Sequence, residues 1–383
     1  MASVARRPDG QWRARYRDDT GHEHSRHFAR KVDAQRWLDE TTAAVVTGQY
    51  VDPRAGRVTV RDYSERWRQM QHHRPATAAL YERVLRLHLY PALGDRALSS
   101  VRHSDVRAFL TGMSATLAPN TTRQVHAITR TIFRSAVHDR LLPESPFVNV
   151  RLPRVQRERV EPVTVEQVQS IVAVAPERMR ALVVLAAATG LRQGELLGLT
   201  VDRLDFLRRE VRVDRQLVYV SGTAPYIGVT KTPESVRTVP VPTFALDALA
   251  AHLAAYPPGE CGLLSRLAPG APVPTTVRLV FQADKGGPML RTTLHGRWQR
   301  TLRRAGHDVG MHFHHLRHHY ASVLLDGGES VKVVQERMGH ASAEETLRTY
   351  AHLMPASEQR TRSVVESAWA PRPADSVRTE TVL

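Results

Sequence analysis

Between Gln11 and Arg17 the chain alternates residue by residue, Trp12, Ala14 and Tyr16 against Arg13, Arg15 and Arg17. From about Thr59 apolar side chains instead recur at every third or fourth position. The first period belongs to a half-buried strand and the second to an amphipathic helix, so one kind of layer cannot serve the whole chain. A second boundary follows at Leu152–Val163, where Pro153, Pro162 and five charged residues between them resemble a linker. The 383 residues are therefore expected to divide into three folded units and a tail.

Residues 1–57 read as a small α+β unit of three strands and a helix. Asp18-Asp19-Thr20-Gly21 makes a turn, His22–Phe28 returns as a strand, and Lys31 to about Thr47 has helical spacing ending at Gly48. Residues 58–156 read as all helical, with helices over Thr59–Met70, Pro75–Leu89, Ser104–Met113 and Asn120–Asp139, and with Thr59, Ser104 and Asn120 as N-caps. Residues 157–369 read as a mixed, mainly helical unit with a small antiparallel sheet. Thr164 caps its first helix, Arg178–Ala188 is a buried helix, and Val211–Val220 and Tyr226–Val229 are strand-like. Arg237–Val241 returns against Tyr226–Val229 as a hairpin with Lys231 at its tip, Phe244–Ala255 is helical, and residues 257–274 are a Pro/Gly-rich loop. Arg291–Ala305, His315–Leu325, Val331–Met338 and Glu344–Tyr350 are further helices, and residues 370–383 a polar, flexible tail.

Charge narrows the partner. The net charge is +16, divided as +3 over residues 1–57, +8 over 58–156 and +5 over 157–383. A polyanion, most simply nucleic acid, is the expected partner. Arg123, Arg130 and Arg134 near one face of the fourth helix of 58–156 suit a phosphate-tracking surface, and Arg13 and Arg15 could present cations from the N-terminal sheet. Both sets equally suit a solvated face. Lysine occurs only at positions 31, 231, 285 and 332, an arginine skew of the kind a GC-rich genome produces, which makes each lysine conspicuous. The longest purely apolar run, Ala181 to Ala188, is far short of the roughly 20 residues that span a bilayer. MASVARRPDG lacks the apolar core of a signal peptide, so a cytoplasmic location is expected, with the protein on the nucleoid when bound to DNA. The single cysteine, Cys261, excludes an internal disulfide and any multi-cysteine metal site.

Five clusters can carry chemistry: Thr189-Gly190-Leu191-Arg192-Gln193-Gly194-Glu195, Lys231, His314-His315-Leu316-Arg317, Gly339-His340, and Tyr350. Each alone has an ordinary reading: a helix-surface ion pair, a solvated lysine, a packed tyrosine. His312, His314, His315, His318 and His319 offer metal ligands, but the zincin pattern needs a glutamate after the first histidine, and His315 stands there. No metal or other cofactor is expected. Together the clusters suggest phosphoryl transfer. Two arginines can clamp a phosphodiester, histidines can donate hydrogen bonds or move protons, a lysine can protonate the leaving alkoxide and a tyrosine can attack.

These residues resemble the tyrosine recombinase, or phage integrase, family. The resemblance rests on residues 189–196, Lys231, His314-His315-Leu316-Arg317-His318, Met338-Gly339-His340-Ala341-Ser342 and Thr349-Tyr350-Ala351-His352, in that order and spacing. It implies a catalytic domain over 157–369, a core-site-binding domain over 58–156 and an arm-type DNA-binding domain over 1–57. Arg192 and Arg317 would hold the scissile phosphate, Lys231 would be the general acid for the 5′-hydroxyl, and His340 would hydrogen-bond the phosphate. His314 would assist proton transfer at Tyr350, the nucleophile that forms a 3′-phosphotyrosyl bond, and Glu195 would orient the site. His315 stands where the family usually has aspartate, and Met338 where it usually has leucine.

The implied activity is site-specific recombination of double-stranded attachment sites by a homotetramer that integrates or excises a phage or other mobile element. An excision factor or a host DNA-bending protein is the further partner implied; a membrane is not. A type IB topoisomerase-like enzyme and a non-catalytic DNA-binding regulator on the same scaffold are the alternatives.

Overall fold

The computed structural model describes residues 2–17, 21–46, 55–155 and 161–350, and residues 362, 365, 366, 368 and 369. The expected turn at Asp18–Thr20, the helix stop at Gly48 and the tail 370–383 lie outside them. Two compact units are present, Met1–Arg157 and Glu158–Leu383.

In the first unit, β1 (Ser3–Arg6), β2 (Trp12–Arg17) and β3 (Glu23–Phe28) form an antiparallel sheet in the order β1-β2-β3, followed by α1 (Lys31–Val46). The alternation of β2 puts Ala14 and Tyr16 into a small core with Ala34 and Leu38 of α1. Arg13 and Arg15 are left on the other face beside Glu23, at 3.4 and 3.8 Å.

A separate helical core follows, built from α2 (Val60–Met70), α3 (Pro75–Val84), α4 (His103–Ser114) and α5 (Pro119–His138). Thr59 caps α2 by accepting the Asp62 amide, as its position predicts. Ser104 and Asn120 do not cap: the Asp105 carboxylate takes the Arg102 amide ahead of α4, and Pro119 opens α5 where its missing N–H is harmless. Helix α3 does not end at Leu89 but continues as a wider π-type helix over Leu85–Gly94. Pro91 has no amide to close an ordinary i→i−4 bond there. Tyr63 donates to Asp139 (2.6 Å) and Trp67 to Ser135 (2.8 Å), which locks α2 to the end of α5.

The second unit begins with α6 (Val165–Val174), where Thr164 and Gln167 bond reciprocally, then α7 (Glu177–Thr189) and the short α8 (Gln193–Leu197). Strands β4 (Leu204–Asp205), β5 (Glu210–Val213), β6 (Arg215–Val218), β7 (Tyr226–Val229) and β8 (Arg237–Pro240) follow, then α9 (Thr243–Ala255), β9 (Cys261–Arg266) and β10 (Val273–Val277). Helices α10 (Arg291–Ala305), α11 (His315–Asp326), α12 (Val331–Met338) and α13 (Ala343–Tyr350) complete it.

Three sequence expectations fail in the strands. Val211–Val220 is not one strand but two in different sheets, because the Asp214 carboxylate binds Arg203 (2.8 Å) and Arg215 (2.9 Å) and turns the chain between them. Tyr226–Val241 is not a hairpin: β8 joins β4 and β5, while β7 lies between β6 and β9. Pro233, which cannot donate to a ladder, opens a 3₁₀ turn between them. Residues 257–274 are not simply a loop, since β9 and β10 pair there and β9 also runs parallel to β7. The expected small antiparallel sheet is thus an antiparallel β4-β5-β8 sheet and a mixed β10-β9-β7-β6 sheet.

The main core of this unit packs α7, α9 and α10 against both sheets around the buried Trp298. A smaller core joins α11, α12 and α13 through Tyr320, Leu325, Val334, Met338 and Tyr350. Among the described residues no helix is long and apolar enough to cross a membrane.

Candidate active site

The site is assembled around three left-handed or capping turns. Helix α7 stops at Gly190, whose φ of +61° is the left-handed cap geometry that favours glycine. A Cβ there would lie 2.4 Å from the Tyr320 ring, so a side chain would also push α7 away from α11. Two residues on, Arg192 precedes α8, and its amide donates to Glu195 Oε2 at 3.0 Å. Helix α12 ends the same way at Gly339, again with φ +61°.

Arg192 donates through Nη1 to Glu195 Oε1 (2.9 Å) and Ser235 Oγ (3.0 Å), and through Nη2 to the Gly339 carbonyl (2.7 Å). Arg317, on the first turn of α11 and only 3 % exposed, donates to the carbonyls of Gly190 (2.6 Å) and Met338 (2.5 Å). The two guanidiniums therefore hold the same α12 turn. Burial, and then the charge of Arg192, push the Arg317 guanidinium down to about 9, which leaves it cationic near neutral pH.

Glu195 is buried between two arginines. Its other partner is Arg237, which donates Nη2 to Oε2 (2.9 Å), Nη1 to the Ser235 carbonyl (2.9 Å) and Nε to the Arg337 carbonyl (2.7 Å). Burial alone would push the Glu195 carboxyl up, but the charges of Arg237 and Arg192 outweigh it and hold the group below the usual carboxylate range. Arg237 is the residue that sequence reasoning missed. Its one visible signal is a charged residue at the start of a short strand.

Tyr350 closes α13 with its ring buried in the smaller core. Its hydroxyl lies 2.7 Å from His318 Nδ1, and its ring stacks at 6.4 Å and 11° on His340. His340 Nδ1 in turn pairs with Thr346 Oγ1 at 2.8 Å. The sequence assigns proton transfer at Tyr350 to His314; the imidazole within hydrogen-bond distance of the hydroxyl is that of His318, one helical turn further along α11. His314 instead packs edge-on against His318 at 4.9 Å. Burial first and Arg317 second push His314 down to about 4, with His315, Arg192 and Arg291 contributing. Burial, then Arg317 and Arg192, bring His340 to about 3, and burial, then His314, bring His318 to about 4. All three rings are neutral near pH 7. His315, standing in the place of an aspartate, accepts the His312 amide at 2.8 Å. His319 turns the other way, to the Val163 carbonyl at 2.6 Å. Among the described residues no group of three or more His, Cys, Asp or Glu side chains is placed to hold a metal ion.

Lys231 is exposed on the turn between β7 and β8. That turn is anchored through Thr232 Oγ1 to Ser235 Oγ (3.1 Å), and Ser235 to Arg192. Among the DNA-binding candidates, Arg123, Arg130 and Arg134 share the exposed face of α5 and line a recess of about 530 Å³ with His126 and Leu152. Arg123 also donates to the Pro153 carbonyl at 3.1 Å.

Two arginines on one turn, neutral imidazoles and a tyrosine hydroxyl beside one of them form a cation-lined site suited to nucleophilic attack on a phosphodiester. The comparisons with known proteins agree with that class. Residues 161–357 match the Phage integrase family and residues 57–152 the Phage integrase central domain. The chain belongs to the phage integrase family. It is 26 % identical to the integrase of Mycobacterium phage D29 over 83 % of each chain. It is 30 % identical to a tyrosine recombinase XerC-like protein of Caldanaerobacter subterraneus subsp. tengcongensis over 64 % of each. In fold it is similar to the Tn1549 transposon integrase in complex with a circular intermediate DNA, with a TM-score of 0.69 and 24 % identity over 81 % of this chain and 99 % of that one. A lambda integrase tetramer bound to a Holliday junction gives a TM-score of 0.55 at 16 % identity over 89 % of this chain and 96 % of that one.

Proposed function

We propose that this chain is a site-specific DNA recombinase that integrates or excises a mobile element by cutting and rejoining DNA through Tyr350. The observation that carries the reading is the meeting of the Tyr350 hydroxyl with an imidazole beside the two arginines held on the 338–339 turn. Arg192 and Arg317, held by those carbonyls, offer their remaining N–H groups to the non-bridging oxygens of the scissile phosphate, where charge builds in the transition state. His314 and His340 border the same arginines and donate further hydrogen bonds. The Tyr350 oxygen bonds to phosphorus, the bond to the 5′-oxygen breaks, and Lys231 protonates that oxygen as it leaves. The 5′-hydroxyl of a partner strand then attacks the 3′-phosphotyrosine, and because the linkage conserves the bond energy no ATP is consumed. Glu195 orients Arg192.

In this reading residues 157–369 are catalytic, 58–156 bind the core site through the α5 arginines, and 1–57 bind arm-type DNA through Arg13 and Arg15. Four copies act on two paired duplexes in the cytoplasm, on the nucleoid, with an excision factor or a host DNA-bending protein setting the direction. Two lines support this reading. The phage integrases match most of the chain, and the fold resembles integrases solved on DNA.

The test is a suicide duplex that traps the cleaved strand on the protein. The native chain yields a covalent adduct whose labelled peptide contains Tyr350, and Tyr350→Phe yields none. An adduct persisting in Tyr350→Phe overturns the nucleophile. Relaxation of supercoils without strand exchange transfers the reading to a topoisomerase, and tight binding without any cleavage transfers it to a regulator.

A further inference from the structure

The nucleophile must lose a proton as its oxygen bonds to phosphorus, and neither the two arginines nor Lys231, the leaving-group acid, can take it. His314, the histidine expected to take it, meets the edge of the His318 ring, with centroids 4.9 Å apart, whereas the imidazole at the tyrosine hydroxyl is that of His318. Residues 314 and 318 lie one turn apart on the α11 segment, so both rings are presented to one side. His318 Nδ1 lies 2.7 Å from the Tyr350 oxygen, a hydrogen-bond distance, with the ring centroids 5.6 Å apart.

We propose that His318 is the catalytic base of this chain, taking the Tyr350 proton on Nδ1 during cleavage and returning it to the tyrosyl oxygen during rejoining. The assignment rests on the recombinase reading above and replaces His314 in that one step. An imidazole protonated on Nε2 offers the Nδ1 lone pair to the hydroxyl. Burial keeps the His318 ring neutral near pH 7, which is the form that can accept. The groups facing it are His314, His315, Arg317, Tyr350 and His340. Arg317, the fixed cation among them, opposes the imidazolium in the free protein. A bound phosphodiester brings one negative charge to the same arginines and offsets that opposition, so the base gains strength when substrate is in place. Atoms balance in both directions. Tyr350 O–H becomes O–P, its proton rides on His318, and the 5′-oxygen leaves with a proton from Lys231; rejoining reverses each transfer.

The probe is a suicide duplex that the native chain selects from a random-core library, and its counterpart with sulfur replacing the bridging 5′-oxygen at the mapped position. A thiolate leaves without a proton donor, so the sulfur substrate separates the acid from the base. Single-turnover adduct formation is measured for Lys231→Ala, His318→Ala and His318→Asn, each checked for folding by circular dichroism and for DNA binding. Lys231→Ala recovers on sulfur. His318→Ala is slower by roughly 100-fold on both substrates, in the range of a lost general base. His318→Asn stays as slow, because an amide oxygen accepts a hydrogen bond but takes no proton. Recovery in His318→Asn would reduce the residue to a positioning role and overturn the proposal, as would recovery of His318→Ala on sulfur. Cleavage by His318→Ala at or above the native rate would mean that the contact is only a resting clasp, and would overturn it as well. If the native chain selects no adduct-forming duplex at all, the recombinase reading fails and takes this assignment with it.

Discussion

Arg192 and Arg317, on different helices, donate to adjacent carbonyls of one turn: Arg192 to Gly339 at 2.7 Å and Arg317 to Met338 at 2.5 Å. Two like charges are thereby fixed side by side, and the turn that fixes them also delivers His340 and, after one short helix, Tyr350. The spacing of the clamp is set by backbone geometry, so the cations are in place before any phosphate arrives.

Replacing Arg317 by lysine keeps a charge but loses the fork that reaches Gly190 and Met338 together. Adduct formation by Arg317→Lys is expected to fall about 100- to 1000-fold, the usual effect of removing one donor to transition-state charge. DNA affinity, measured by band shift, changes far less. A parallel loss of both would show that Arg317 supports binding rather than the chemical step.

Glu195 is shared between Arg192 and Arg237, one carboxylate oxygen to each Nη atom. Glu195→Gln leaves two buried guanidiniums facing an uncharged amide, and removing one partner of such a group costs roughly 3–5 kcal/mol. A urea titration should show the loss in the second unit. In a double-mutant cycle Arg237→Met added to Glu195→Gln should cost less than the sum of the single changes, because the second change removes a charge that the first left unpaired. Additive losses would mean that the two residues do not interact.

Acid should destabilise the second unit before its carboxylates titrate. His314, His318 and His340 bind protons only near 4, 4 and 3 when folded, against 6.5 for a free imidazole. Between those values the unfolded chain holds more protons, so the stabilisation present above 6.5 is lost progressively as the pH falls toward 4. The lowered Glu195 and Asp214 add a further loss only below their own ordinary values, 4.5 and 3.8. The urea midpoint should therefore fall from about pH 6.5 to pH 5, and His318→Gln should flatten that fall. A midpoint constant over that interval would contradict the neutral packing of His318 and His340.

On α5, Arg130 and Arg134 face the recess with no ion pair among the described residues, whereas Arg123 is tied to the Pro153 carbonyl. Arg130→Gln and Arg134→Gln should each reduce the slope of log affinity against log salt by about 0.9, the value for one phosphate contact. Arg123→Gln should reduce it less. Unchanged slopes in all three would leave the arginines as a solvated face.

Most helices were legible because each has a local cause. Apolar spacing and an N-cap are written within a few residues, and Thr59 and Thr164 cap as their positions predict. The strands were less legible because pairing is not local. Nothing near Lys231 announces that β7 and β8 enter different sheets; that follows from which strand lies alongside each. The Pro/Gly content of 257–274 suggested a loop, yet residues 261–266 and 273–277 pair across it.

The sequence by itself determined the inventory: a basic chain, two changes of element type, and one set of Arg, Lys, His and Tyr residues in a fixed order. It also put glycines at Gly190 and Gly339, just past two helices, where the structure adopts the left-handed conformation that other residues resist. Only the tertiary structure decided which of several neighbouring histidines meets Tyr350, because side chains one helical turn apart look equivalent along the chain and are separated only by what packs against them. It also decided that Glu195 has a second cation in Arg237, 42 residues away. A carboxylate buried between two guanidiniums is stable only when all three are brought together, and that condition is met by the fold and not by any local pattern.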